Sequence, residues 1–141
     1  MGTIRLVTCC FVIALTSLAG LAGLAGLTAP VGASDLIHRE VLKRVDLTGR
    51  DRTEVIVTRV IIAPGGRVPR HSHHGDEFVY VTEGGTASVP GRPPIKFEAG
   101  QTIHFPRGKV HGGFTVTGSK SIKAVTTHIV DKGKPLSILA K

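Results

Sequence analysis

The chain has 141 residues, room for one domain of ordinary size and not for two. Its 18 Lys and Arg outnumber 10 Asp and Glu, and the resulting charge of +8 favours anionic ligands through steering and says nothing of the fold. The basic residues are scattered, and with no Trp and a single Tyr they lack interleaved stacking rings, which argues against nucleic-acid binding.

Residues 1–33 read as a signal peptide. Arg5 supplies the positive start, Leu6 to Leu27 is uncharged and apolar, and Val31-Gly32-Ala33 forms a small-residue pattern before a cut ahead of Ser34. The apolar run exceeds the usual signal core of about 7–15 residues and approaches the roughly 20 that span a bilayer, so an uncleaved N-terminal anchor is the alternative. The expected location is periplasmic or secreted, with membrane contact only if the segment is retained. Cys9 and Cys10 both lie in this segment, so residues 34–141 have no disulfide, thiolate ligand or cysteine nucleophile.

From residue 34 to about 50 the chain is expected to form a strand or arm. Beyond it, β-branched and aromatic runs predict strands over Glu54 to Ile62, Glu77 to Thr82, Ile95 to Phe97, Thr102 to Phe105 and Lys120 to Val130. Turns are predicted at Pro64-Gly65-Gly66, Glu83-Gly84-Gly85, Pro90-Gly91, Ala99-Gly100 and Arg107-Gly108. No segment after residue 33 shows a 3.6-residue apolar period, and no internal repeat is visible. The expectation is an all-β sandwich or jelly-roll barrel formed by residues 34–141 as a single domain.

The turn-rich middle of the chain carries the chemistry. His71 and His73 are two residues apart, so on a strand they share a face. A short turn can return Glu77 to that face, and a facing strand can deliver His111. Three imidazoles and a carboxylate suit one divalent transition metal, Fe, Mn, Ni, Cu or Zn, and leave space opposite for water or substrate.

The glycines around these residues set a pattern. Gly65-x5-His71-x-His73-x3-Glu77-x6-Gly84 and Gly100-x5-Pro106-x-Gly108-x2-His111 resemble the two signature motifs of the cupin superfamily. Where that family often carries an asparagine after the last ligand, this chain has Thr115. The resemblance extends over roughly Val41 to Leu136. It implies a double-stranded β-helix, or jelly-roll barrel, with metal ligands His71, His73, Glu77 and His111, and an N-terminal strand packed against a second subunit as a homodimer. Pairing would also hide an edge strand.

The other candidates follow from alternation and composition. His74 is expected to point away from the ligands, and His104 and His128 to face solvent or a subunit contact. Asp76 is either an orienting partner for a ligand imidazole or a turn aspartate. Phe105 and Phe114 are the expected pocket walls, and Tyr80 is the one phenol available for proton transfer. Among small cupins there are dioxygenases, oxalate-degrading enzymes, lyases and isomerases. The reading is an exported metal-dependent oxidoreductase, dioxygenase-like, acting on a small oxygen-rich compound with Glu77 as base. A non-catalytic cupin module binding a metal or small ligand is the alternative. A structural Zn protein is a third, although closed structural zinc sites are built largely from cysteine.

Overall fold

The computed structural model describes residues 35–141, so the predicted signal peptide or anchor lies outside the described residues. Eleven strands and no helix are found among the described residues, and none of their segments forms a helix long and apolar enough to cross a membrane. The strands are β1 (Ile37–Asp46), β2 (Thr53–Ile62), β3 (Arg67–Val68), β4 (His71–Ser72), β5 (Gly75–Glu83), β6 (Gly85–Ser88), β7 (Ile95–Phe97), β8 (Thr102–Phe105), β9 (Phe114–Thr117), β10 (Ile122–Asp131) and β11 (Ile138–Leu139). They form a five-stranded sheet in the order β1-β2-β10-β5-β8, a four-stranded sheet β3-β9-β6-β7 and a small pair β11-β4. Every pairing is antiparallel. The all-β jelly-roll expectation is met.

The long strands follow from alternation. In β10, Ile122, Ala124, Thr126, His128 and Val130 are buried while the residues between them are partly exposed. β2 pairs with β10 along its whole length, Ile62 against Ile122 and Thr58 against Thr126, so Ile56, Thr58 and Ile62 share that inner face. The apolar core sits toward one end of the barrel, where Ile62 and Ile122 of one sheet meet Val68, Ala87 and Val116 of the other. Going along β10 from Ile122 to His128 covers six residues, about 20 Å of strand. The metal candidates are therefore at the opposite end of the inner face from the core.

The strands that pattern reading missed are β3, β4, β6, β9 and β11, none longer than four residues. Between β5 and β6 there is no open hairpin turn. A single residue, Gly84, carries the chain from one sheet to the other, and a Cβ there would lie 2.3 Å from the Phe97 carbonyl oxygen. Only glycine allows so close a backbone crossing.

The expected N-terminal strand is present as β1, at the edge of the five-stranded sheet, with a register shift at Leu42. Nearly all of it is exposed, including Val41, Leu42 and Val45.

Candidate metal centre

Backbone geometry brings the four predicted ligands together. β4 is held on one side by β11, with Leu139 opposite His71. On the other side His71 forms a two-way bridge with His111: each amide N–H donates to the other's carbonyl, at 3.0 and 2.8 Å. The turn Pro106-Arg107-Gly108 docks on the first arm through the Gly108 amide, which donates to the His73 carbonyl at 3.1 Å. Glu77 enters from β5, opposite Phe105 of β8.

One ligand atom from each of His71, His73, Glu77 and His111 lies within 4.8 Å of all the others. The three rings are in mutual contact, with centroids 4.3 to 5.0 Å apart. His73 and Glu77 are buried, and only 9% of His71 and 8% of the His111 side chain remain exposed. Phe105 stacks on His111 with centroids 4.0 Å apart and planes within 9°, fixing the plane of that ring.

Each ring nitrogen facing away from the cluster has a backbone acceptor. His71 Nδ1 is 2.8 Å from the Pro69 carbonyl, His73 Nδ1 2.5 Å from the Leu136 carbonyl, and His111 Nδ1 2.9 Å from the Lys109 carbonyl. A carbonyl accepts only, so Nδ1 carries the proton in all three, and in the neutral ring Nε2 keeps its lone pair. Glu77 Oε2 lies 3.1 Å from His73 Nε2 and 2.8 Å from His111 Nε2. The latter is not aligned as a hydrogen bond, and His111 Nε2 is a buried nitrogen with no hydrogen-bond partner. Lone pairs on neutral imidazoles and on a carboxylate repel when crowded, and a divalent cation between them relieves that repulsion. The residues fit a metal on this ground, and the all-N,O donor set matches a borderline divalent ion.

The protonation tendencies in the metal-free cluster divide. Burial is the largest influence on His71 and pushes its pKa down; the Pro69 carbonyl opposes it, while His111 and His73 add to the lowering. The neutral form is what a metal requires. Burial acts the same way on His73, but hydrogen bonds to Glu77 and the Leu136 carbonyl together outweigh it, and the pKa is raised. For Glu77 burial favours the neutral acid, yet contacts with His111, His128 and His73 overcome it and hold the carboxyl well below the usual carboxylate range.

His128 requires a correction. It was expected to face solvent or a subunit contact, and it is instead 5% exposed, on the inner face of β10. Register places it directly opposite Glu77, with Nε2 3.3 Å from Oε1 and the ring 4.6 Å from that of His73. The two oxygens of Glu77 are thus divided, Oε2 toward the ligand imidazoles and Oε1 toward His128. Asp76 does not touch a ligand imidazole. Its Oδ1 accepts from the Arg107 amide at 2.7 Å, fastening the turn that leads to His111. Tyr80 is 51% exposed on the outer face of β5, away from the cluster. His104 is exposed as expected and stacks on Phe78 at 4.5 Å, and His74 is outside the cluster.

The cluster opens into a cavity of about 810 Å³ between the sheets, whose wall includes Phe105 and Phe114 as expected. Val60, Ile62, Val81 and Ile103 extend the apolar lining, and Thr58, Thr126 and His128 are among its polar interruptions. The hydroxyls of Thr58 and Thr126 and His128 Nδ1 are buried without a hydrogen-bond partner.

Comparison with known proteins places the chain. Residues 58–128, half its length and including all five residues of the cluster, match the Cupin domain family. No curated protein matches the sequence. Among solved structures, the DMSP lyase DddQ from Ruegeria pomeroyi DSS-3 is similar, with TM-score 0.57 and 19% identity, over 80% of this chain and 57% of that one. The chain thus spans little more than half the length of that lyase. The polyketide cyclase RemF from Streptomyces resistomycificus is similar with TM-score 0.55 and 23% identity, over 77% of this chain and 75% of that one. A cupin-2 domain protein from Rhodospirillum rubrum follows with TM-score 0.53 and 18% identity, over 75% of this chain and 66% of that one. At these identities the likeness is one of fold.

Proposed function

The chain belongs to the cupin family, and from that premise we propose that it is an exported, metal-dependent oxidoreductase, dioxygenase-like, acting on a small oxygen-rich compound. The observation that carries the reading is the buried cluster of three imidazoles and one carboxylate opening into a cavity of about 810 Å³. His71, His73, Glu77 and His111 would hold one divalent ion, Fe, Mn, Ni, Cu or Zn, through Nε2 of each imidazole and a carboxylate oxygen. Bound there, such an ion supplies Lewis-acid chemistry or, when redox-active, oxygen chemistry. The protein's own part is to keep the donors in one tautomer, to shield them from bulk water and to orient a ligand against the cluster. Glu77 is also the proposed proton acceptor. Its imidazole neighbours keep it ionised and so make it a weak base, suited to a brief transfer and not to lasting protonation.

One observation favours the second reading, a non-catalytic module that binds a metal or small ligand. Tyr80 lies outside, so beyond Glu77 and the histidines the described cavity lining offers no acid–base side chain except arginine. The similar solved structures include a lyase and a cyclase, two different reactions on one fold, so fold does not choose between readings. Elemental analysis of untagged protein exported into a periplasm, followed by oxygen-uptake assays with phenolic and small dicarboxylate compounds, tests the choice. Near-stoichiometric Fe, Mn, Ni or Cu with oxygen consumption supports the oxidoreductase; Zn alone, or ligand capture without turnover, supports the binding module.

Two further proposals concern assembly and location. The exposed edge strand β1, with Val41, Leu42 and Val45 uncovered, supports a homodimer through that edge, and mass by light scattering tests it. Residues 1–33 support export to the periplasm or medium, which cell fractionation and the mass of the mature N-terminus test.

A further inference from the structure

The charges around the cavity are one-sided. Arg39, Arg67, Arg70 and Arg92 line it, and Glu77, already committed to the cluster, is its one carboxylate. These arginines come from four separate places in the chain. Arg39 is on β1 opposite Val60, itself a wall residue. Arg67 is on β3, Arg70 directly precedes His71, and Arg92 lies in the β6–β7 turn, its amide bonded to the Val89 carbonyl at 3.1 Å. The stem of Arg70 lies where a side chain on residue 113 would sit: a Cβ on Gly113 would come within 2.7 Å of Arg70 Cγ.

Three of the five described arginines outside the lining are paired, Arg50 and Arg52 being the others. Arg44 pairs with Glu54 at 3.2 Å, Arg59 with Glu40 at 2.6 Å and Arg107 with Asp131 at 2.7 Å. None of the four cavity arginines has a carboxylate partner among the described residues. A guanidinium presents a planar fork of donors that matches a carboxylate in two parallel hydrogen bonds. Several such forks, exposed where the cavity lining meets solvent and without a carboxylate partner among the described residues, raise the local concentration of anions and reward a ligand that supplies the missing acceptors. Apart from the cluster, Thr58 and Thr126, much of the remaining wall is hydrocarbon from Val60, Ile62, Val81, Ile103, Phe105 and Phe114.

We propose that the arginines at this mouth form a recognition site for the carboxylate of a small organic acid whose apolar body fills the cavity. The assignment names the substrate class of the cavity, and it rests on the proposed function only in placing the bound molecule beside the metal cluster. The ligand enters body first, and its head group is held at the mouth, where the guanidiniums remain hydrated until it arrives. An apolar pocket with a few convergent polar groups is the usual form of a small-molecule site.

Calorimetric titration of the full chain with 3-phenylpropionate and with its neutral isostere 3-phenylpropionamide tests this, with protein stripped by chelator and protein loaded with Zn²⁺ run side by side. The acid is expected to bind at least tenfold more tightly than the amide in both forms. Arg67→Gln/Arg70→Gln and Arg39→Gln/Arg92→Gln are each expected to weaken the acid at least tenfold, leave the amide unchanged and leave Zn²⁺ content unchanged. Lys43→Gln/Arg50→Gln removes the same charge away from the cavity and is expected to change affinity less than threefold. Equal binding of acid and amide, no binding of the acid, or equal weakening by the remote pair overturns the proposal. The two readings fail separately: acid binding by a protein that takes up no metal leaves the arginine site standing without the oxidoreductase. Metal-dependent oxygen uptake without acid preference does the reverse.

Discussion

Replacing His128 by alanine is the most informative perturbation of the cluster. His128 and Glu77 are cross-strand partners, both buried, and Nε2 stands 3.3 Å from Oε1. The nearest approach of His73 and of His111 to this carboxylate is at the other oxygen, Oε2. Removing the imidazole takes Nε2 away from this buried oxygen. A hydrogen bond to a charged group contributes about 1.5–3 kcal/mol. If that stabilisation is spent on aiming Oε2 at the metal, its loss corresponds to roughly 10–100-fold in affinity, the size typical of partners that orient a metal ligand. Chelator competition with Zn²⁺ on wild type, His128→Ala and His128→Gln measures it. The glutamine variant, which keeps an N–H donor, is expected to recover most of the loss. Unchanged Zn²⁺ affinity in His128→Ala would refute the orienting role. A loss as complete as that of His111→Ala would make His128 a ligand instead.

Four other outcomes are expected. His73→Ala or His111→Ala should abolish near-stoichiometric metal binding and lower the melting temperature of the metal-loaded protein toward that of the stripped one, as elemental analysis and calorimetry will show. Thr58→Val/Thr126→Val should stabilise the ligand-free protein by about 1–3 kcal/mol, because both hydroxyls are buried without partners; denaturant midpoints check it, and a destabilised variant would mean that the hydroxyls are satisfied. Ending the chain after Pro135 removes the Leu136 carbonyl and β11, and should weaken metal binding at least tenfold in the same chelator assay. Gly75→Ala puts a Cβ 2.0 Å from the Ile129 carbonyl oxygen, and should cost more than about 3 kcal/mol or prevent folding, read from the denaturation midpoint or from soluble yield.

Much of this site is legible in the chain because its ligands are local. His71, His73 and Glu77 fall within seven residues, and strand alternation with one short turn suffices to join them. The long strands are legible for the same reason. β7 and β8 have the predicted bounds, while β2, β5 and β10 differ from theirs by one or two residues at one or both ends. His128 is not legible. Its strand carries Val125, Thr127 and Ile129 on one face and Ala124, Thr126 and Val130 on the other, so composition does not tell inside from outside. Only the register of β10 against β5, set by contacts some fifty residues apart, brings it to Glu77. The short strands are hidden by their turns: β4 has two residues, and its pairing with β11 is held from the far end of the chain. Asp76 looks like an imidazole partner on proximity alone, and the turn at Arg107 claims it first.

The orienting groups around the ligands show a division that only the folded chain reveals. Each histidine of the cluster has its tautomer fixed by a main-chain carbonyl, His71 by Pro69, His111 by Lys109 and His73 by Leu136. Two of these carbonyls lie two residues before the histidine they fix, so the loop that presents the ring also sets its proton. The third comes from the C-terminal segment, sixty-three residues away from His73. Side-chain substitution leaves a carbonyl in place, so the three tautomers do not depend on neighbouring side chains, and that of His73 depends on the tail. Glu77 differs, since its free oxygen is aimed by a side chain, His128. Variation at residue 128 therefore acts on carboxylate orientation while the three carbonyl contacts stay in place, and it is a position at which this cluster can be retuned.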